Sequence, residues 1–327
     1  MRQDGPTSSA DERPLASCPH AEGFAHEALL YEGTDGFLEG TVPFVREGLE
    51  AGEAILVAVP AARADALRGA LNGHSQDVLF ADMAELGRNP GRIIPAWRDF
   101  VDEHTERGMP IRGIGEPVWP ERTPAELAEC QRHEALLNLS FGDDPAWTLL
   151  CPYDTTTLGE DVIAEAFRSH PVLWEGGRRV RSDTYTDPRV SLAGHDADLS
   201  APPADADRMA FERDDIATVR ALVARHAVKA RLADDRAADL VLAASEAATN
   251  SVLHGGGRGD LHVWREGATV VCDVRDRGRI ADLLAGRRRP SLEAVDGRGL
   301  WVVHQLCDLV EVRSLPDGTA VRFRIGA

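Results

Sequence analysis

Long apolar runs are missing from these 327 residues: none approaches the roughly 20 positions that a bilayer-spanning helix needs. The opening segment MRQDGPTSSADERPLAS has no apolar core of the kind a secretory signal carries. A short polar tail over 1–22, a cytoplasmic location and no membrane partner are the expectations. Cysteine is scarce: Cys18, Cys130, Cys151, Cys272 and Cys307 are odd in number and widely scattered, which argues for thiols over a disulfide framework. Positive charge is short as well. With 36 Lys and Arg against 54 Asp and Glu, the formal net charge of −18 repels a phosphate backbone and argues against nucleic acid as a partner. The single dense basic run is GRRRP at 286–290. No Gly-x-x-x-x-Gly-Lys-Ser/Thr phosphate loop occurs anywhere, which excludes the commonest nucleotide-hydrolysing motif.

What is present suits two domains, because single cores stop growing near roughly 250–300 residues. A hydrophobic fraction of 43% and a charged fraction of 28% are those of ordinary globular domains. Between 24 and 185, strand-like apolar runs (EAILVAVP, DVLFADM, PIRGIGEPV, TLLCPYD) alternate with helical periodicity (ADALRGAL, PAWRDFVDEHTERG, AELAECQRHEALLNLSF). Continuously apolar strands imply burial on both faces, hence an α/β three-layer sandwich around a mostly parallel sheet. Residues 188–210 lose periodicity and fill with Pro, Ala and Asp, which predicts an extended linker between domains at 23–187 and 211–327. After it come two helices, 214–232 and 234–253, strands at 260–264 and 269–273, a helix at 299–308 and strands at 309–314 and 319–325. These predict helices layered on one mixed sheet.

The richest chemistry lies in SEAATNSVLHGGG, 245–257. Glu246 and Asn250 are four apart and share a helix face. An amide oxygen suits Mg²⁺, which keeps several waters and bridges to substrate phosphates, and the carboxylate is then free to act as a base. Asp276-Arg277-Gly278 ends a strand, where a carboxylate can accept from an amino group such as that of adenine and a glycine leaves room for a flat base. In Asp296-Gly297-Arg298-Gly299-Leu300, glycines open a helix whose backbone N–H groups suit phosphate. Asp317-Gly318-Thr319 turns into the last strand, with its hydroxyl closing the pocket from below.

In order and spacing these segments resemble the GHKL (Bergerat) ATPase superfamily over 212–327, and within it the anti-sigma-factor serine kinases. The family's N-box SEAxTNxxxHG is matched by Ser245, Glu246, Ala247, Thr249, Asn250, His254 and Gly255. The family's Asp-x-Gly-x-Gly is represented by Asp276 and Gly278, with Ile280 in place of the last glycine. Its later boxes correspond to Gly297 with Gly299 and to Gly318 with Thr319. The resemblance implies a two-layer α/β fold, ATP and Mg²⁺ as cofactors, and Glu246 as the catalytic base. It implies Asn250 as Mg²⁺ ligand and His254, Asp276, Gly278, Gly297, Gly299 and Thr319 as nucleotide contacts. It also implies a STAS-type anti-anti-sigma protein or a sigma factor as partner, and pairing into homodimers. Three activities stay open: serine/threonine phosphotransfer, nucleotide-dependent sequestration without phosphotransfer, and a histidine kinase using His226. That histidine lacks the acidic neighbour and downstream proline of a phosphoacceptor box, and reads as a surface or core-edge residue.

Residues 20–174 resemble the MEDS sensory domain, known from a dichloromethane-responsive regulator, in HEALLYEG, GRNPGRIIPAW, RGIGEPVW, ECQRHEALLN and LLCPYDT. The resemblance implies a core related to RecA-like ATPases and a small-molecule ligand. Glu116 and Trp119 follow a strand, where open α/β sheets hold ligands. Cys130 and His133 are three apart on one helix face and, with Cys151, make a candidate soft metal or redox site. As alternatives, the two cysteines are small buried hydrophobes and His133 is a hydrogen-bonded core residue.

Overall fold

The computed structural model describes residues 23–142, 144–175, 177–194, 199–291 and 297–326. The tail at 1–22, and residues 292–296 of the segment following Asp276, lie outside the described residues. In chain order the first half contains β1 (Phe24–Tyr31), α1 (Gly33–Glu50), β2 (Ala54–Val59), α2 (Ala61–Ala70), β3 (Leu79–Asp82), α3 (Met83–Leu86) and α4 (Ile93–Glu106). It continues with β4 (Ile111–Gly115), α5 (Pro124–Phe141), β5 (Trp147–Asp154), α6 (Glu160–Ser169), β6 (Val172–Glu175), β7 (Arg178–Arg181) and α7 (Pro188–Gly194).

The strands form one seven-stranded sheet in the order β3-β2-β4-β5-β1-β6-β7, parallel except for the β6–β7 edge pair. Both faces are covered, as continuously apolar strands require. One face packs Trp97, Phe100, Leu136 and Phe141 of α4 and α5 against Leu149 and Trp147. The other packs Phe37, Phe44 and Val45 of α1 and Leu67 of α2 against Ile55, Val57 and Ile114. Gly113 lets Trp97 lie flat on β4, since a Cβ there would stand 2.6 Å from the indole. The three-layer α/β sandwich is as expected.

The second half consists of β8 (Asp207–Glu212), α8 (Ile216–Ala230), α9 (Asp234–His254), β9 (Arg258–Glu266), β10 (Thr269–Asp276), α10 (Arg298–Leu306), β11 (Leu309–Leu315) and β12 (Gly318–Ile325). Its sheet runs β11-β12-β10-β9-β8, and every neighbouring pair is antiparallel. The expectation of a mixed sheet is thereby corrected. The sheet also has an edge strand, β8, in a stretch assigned to the linker. Helix α9 buries Leu240, Ala243, Ala244, Ala247, Ala248 and Ser251, a stripe of mostly small side chains that lets it lie close to the sheet.

The linker itself is not wholly extended. Asp187 caps the start of α7 by accepting from Arg189 N at 2.8 Å, Pro188 occupies its first turn and Leu192 is buried, so an Asp-Pro helix start sits inside what composition marks as a connector. Farther on, Arg322 donates to the carbonyl and hydroxyl of Ser200 while its guanidinium also pairs with buried Asp273. The connector is therefore strapped across the outer face of the second sheet.

At the carboxyl ends of the first sheet's strands, Glu116 accepts a 2.6 Å hydrogen bond from the Tyr31 hydroxyl, while its second oxygen has no partner. Burial pushes this carboxyl up to about 7, with the Tyr31 bond opposing. The folded state therefore holds a proton that the unfolded chain releases above pH 4.5. This group's contribution to stability is full below that value and is lost as pH rises toward 7, by about 3 kcal/mol in all. His26 and His170, pushed down to about 3 by burial, act with the opposite sign as pH falls below 6.5. Glu116→Gln should remove the first dependence alone. The melting-temperature difference between variant and wild type, followed from pH 4.5 to 8, should rise in favour of the variant, and a flat difference would contradict the assignment.

Candidate functional site

The second half holds a cavity of about 490 Å³ between α9, the strand end at Asp276, the segment 278–290 and the start of α10. It lies within the size range of small-molecule sites. The cavity is lined by Asn250, Ser251, His254 and Gly255 from the last turns of α9. Asp276, Gly278, Gly297, Gly299 and Thr319 complete that wall. The structure thus brings together every nucleotide-contact residue expected from the sequence. Glu246, one turn before Asn250 on α9, is half-buried and is not among the lining residues.

Tight backbone geometry holds this wall. Asp276 accepts from Gly278 N at 2.7 Å with one oxygen and from the Ser251 hydroxyl at 2.6 Å with the other. Each oxygen retains a lone pair for an incoming donor. A Cβ at Gly255 would meet the Asp276 carboxyl at 2.4 Å, and one at Gly278 would meet His254 O at 2.6 Å, so the helix end and the strand end touch through two glycines. Thr319 donates to Gly278 O at 2.9 Å and fixes the loop from beneath. Gly299 stands so close to Asn250 that a Cβ would lie 2.6 Å from its Nδ2. The Asn250 amide has no hydrogen-bond partner among the described residues and is free to coordinate. Ser251 was part of the quoted motif, but nothing in the sequence assigned it the task of orienting Asp276.

Ile280, which replaces a glycine of the family pattern, donates its N–H to the Ser314 hydroxyl of β11 at 2.9 Å and lines the cavity. Beyond it the chain leaves the second sheet and docks on the first half of the molecule. Leu284 is buried in the core of α4 and α5, with Leu283 packed against it. Arg287 and Arg313 both donate to Glu129 of α5, at 2.8 and 2.7 Å. Burial pushes the Arg287 guanidinium down to about 10, against the opposing pull of Glu129, so it remains a cation. Arg289 reaches Asp99 of α4 at 2.8 Å, an exposed pair. Arg288 and Arg289 also line the cavity, where they add positive charge.

A second contact grips the other end of α10. Asn89 and Arg92 donate to His304 O, at 2.8 and 3.1 Å, and Arg92 donates to Cys307 O at 3.1 Å. These are the orphan carbonyls of a helix C-terminus. Gly91 allows the approach, since a Cβ would stand 2.0 Å from the His304 ring. The GRNPGR segment therefore caps the helix whose N-terminus faces the cavity.

The candidate sensory residues do not form one site. Cys130 donates to Pro117 O at 3.3 Å and His133 is buried with Nδ1 unpartnered, while Cys151 turns instead to His26, 3.3 Å away. Trp119 carries the Arg122 guanidinium 3.6 Å over its ring. His226 is buried and bonded to Asp207 at 2.8 Å. Among the described residues, no helix is long and apolar enough to cross a membrane.

Residues 25–171 match the family described as MEDS, the methanogen/methylotroph, DcmR sensory domain. Residues 209–325 match the family described as the histidine kinase-like ATPase domain. No curated protein matches. A solved structure of the RsbU and RsbW domains of Rv1364c from Mycobacterium tuberculosis is similar at 20% identity and a TM-score of 0.29, over 37% of this chain and 32% of that one. The chain spans about a third of that protein, a likeness too slight to bear on activity. The two families and the two sheets agree: this chain carries a MEDS domain at 25–171 and a histidine kinase-like ATPase domain at 209–325.

Proposed function

We propose that this chain is a signal-responsive anti-sigma regulator whose second half binds Mg-ATP and phosphorylates a serine or threonine of a STAS-type anti-anti-sigma partner, under control of the first half. One observation carries the reading: Asp276, the free amide of Asn250 and the glycine-edged start of α10 converge on one cavity. Asp276 would accept from the adenine amino group. The N-terminus of α10 offers backbone N–H groups and a favourable dipole to the phosphates. Asn250 has the hard oxygen donor that magnesium takes, and the ion when bound neutralises phosphate charge. Glu246, on the same helix face, is the group to take the proton from the partner's hydroxyl.

A second reading, nucleotide-dependent sequestration without phosphotransfer, is favoured by the position of Glu246 outside the cavity lining. The histidine kinase is disfavoured because neither His226 nitrogen is free, Nε2 being bonded to Asp207 and Nδ1 buried.

The contacts between the halves supply the means of control. Glu129 binds the segment 278–290, the lid of the cavity, and the Asn89–Arg92 cap binds α10; both elements border the cavity. A shift of α5 or of residues 89–92 therefore changes the shape available to nucleotide.

Three outcomes test the proposal. Glu246→Gln should bind ATP as wild type does but slow the mass gain of one phosphate on the partner by roughly 100-fold or more. A native rate would refute the base, and no mass gain with wild type would favour sequestration. Gly299→Ala should weaken Mg-ATP at least about tenfold by calorimetry, because its methyl displaces the Asn250 amide. Unchanged affinity would remove Asn250 from the site. Glu129→Gln leaves Arg287 and Arg313 buried without their countercharge, a loss of about 3–5 kcal/mol for such pairs. Tryptic cleavage after Arg287 and Arg288 should then accelerate severalfold, and an unchanged rate would contradict the clamp.

A further inference from the structure

Away from the cavity, four side chains from four elements meet inside the first domain: His26 of β1, Glu134 of α5, Cys151 of β5 and His170 at the end of α6. All four are buried, and their ligand atoms lie within 4.8 Å of one another. His26 Nε2 is 3.3 Å from Cys151 Sγ and 3.2 Å from Glu134 Oε2, and His170 Nε2 is 3.5 Å from the same oxygen. A tetrahedral ion with bonds of 2.0–2.3 Å spaces its ligands by about 3.3–3.8 Å, so the cluster is already close to that size.

Both imidazoles are aimed. His26 Nδ1 pairs with Asn138 Oδ1 at 3.2 Å, and Asn138 is itself held by donating to Glu134 O and Ser169 O. His170 Nδ1 pairs with Ala166 O at 2.8 Å. A carbonyl cannot donate, so each Nδ1 carries the proton and each Nε2 presents a lone pair to the centre. This is the outer-shell arrangement that orients metal-ligating histidines. Meanwhile Glu134 Oε1 and His170 Nε2 have no hydrogen-bond partner, an unfavourable state for buried polar atoms that a cation would relieve.

We propose that His26, Glu134, Cys151 and His170 bind one zinc-type divalent cation in a closed, four-coordinate site. Nitrogen, sulfur and carboxylate donors suit a borderline-soft d-block ion and disfavour Mg²⁺ or Ca²⁺. With four protein ligands and no solvent access, the site leaves no open position for catalysis and serves to fix or report the arrangement of four elements. Glu134 lies on α5 five residues after Glu129, so the ion and the lid clamp pull on one helix. The site stands independently of the proposed phosphotransfer.

The test uses the full-length chain stripped with a chelator, in a Cys18→Ser background that removes the tail thiol. Titration with Co²⁺ should show one equivalent bound per chain, with tetrahedral visible bands and a thiolate charge-transfer band in the near ultraviolet, both displaced by Zn²⁺. Cys151→Ser should lose the charge-transfer band. Asn138→Ala, which keeps all four ligands, should weaken the affinity roughly 10- to 100-fold. Failure of the stripped wild-type protein to take up Co²⁺, or a full thiolate band in Cys151→Ser, would overturn the proposal. If Cys151→Ser does not fold, the wild-type titration decides alone.

Discussion

Glu129, with no exposed surface, sits on a helix of the sensory domain and accepts from two cations of the ATPase domain, Arg287 and Arg313. Removing either side of such a group from its partner leaves charge stranded in a low-dielectric interior, so the two halves of the molecule are bound to each other's positions. Arg287 comes from the segment over the cavity and Arg313 from β11, which lies against the strand that carries Thr319. One carboxylate thus ties the roof and the floor of the cavity to α5. The Asn89–Arg92 cap does the same for α10, from its far end.

The pocket is built to be sensitive to such ties. Its walls touch through glycines, at Gly255, Gly278 and Gly299, each so close to its neighbour that no room is left for a Cβ. Asp276 is oriented by Ser251 and by the loop it caps, and Thr319 holds that loop. A rigid binding wall facing a roof anchored in another domain is an arrangement in which a small movement of α5 alters access more than it alters the wall.

Most of the ATPase half was legible in the sequence because its function imposes local spacing. Glu246 and Asn250 four apart, Asp276 two before Gly278 and a glycine pair opening α10 are short-range patterns, and the elements carrying them fall within a few residues of expectation. What escaped were features set by long-range packing. Ser251 looks like any small residue on a small-residue helix until β10 places Asp276 beside it. β8 and α7 were hidden by Pro, Ala and Asp, although the Asp187-Pro188 helix start was there to be read. Cys130 and His133 do share a helical face, but neither belongs to the ligand cluster around Cys151. Glu134, one residue on, is the group that meets it, alongside His26 and His170, more than a hundred positions apart in the chain.

The central claim is that nucleotide state and sensory-domain state are read through α5. Hydrogen–deuterium exchange of the full-length chain, with and without Mg-ATP, tests it most directly. The account predicts that nucleotide changes exchange in the lid peptide covering 282–291 and in the first two turns of α5 together. A lid that becomes protected while α5 exchanges as before would contradict it.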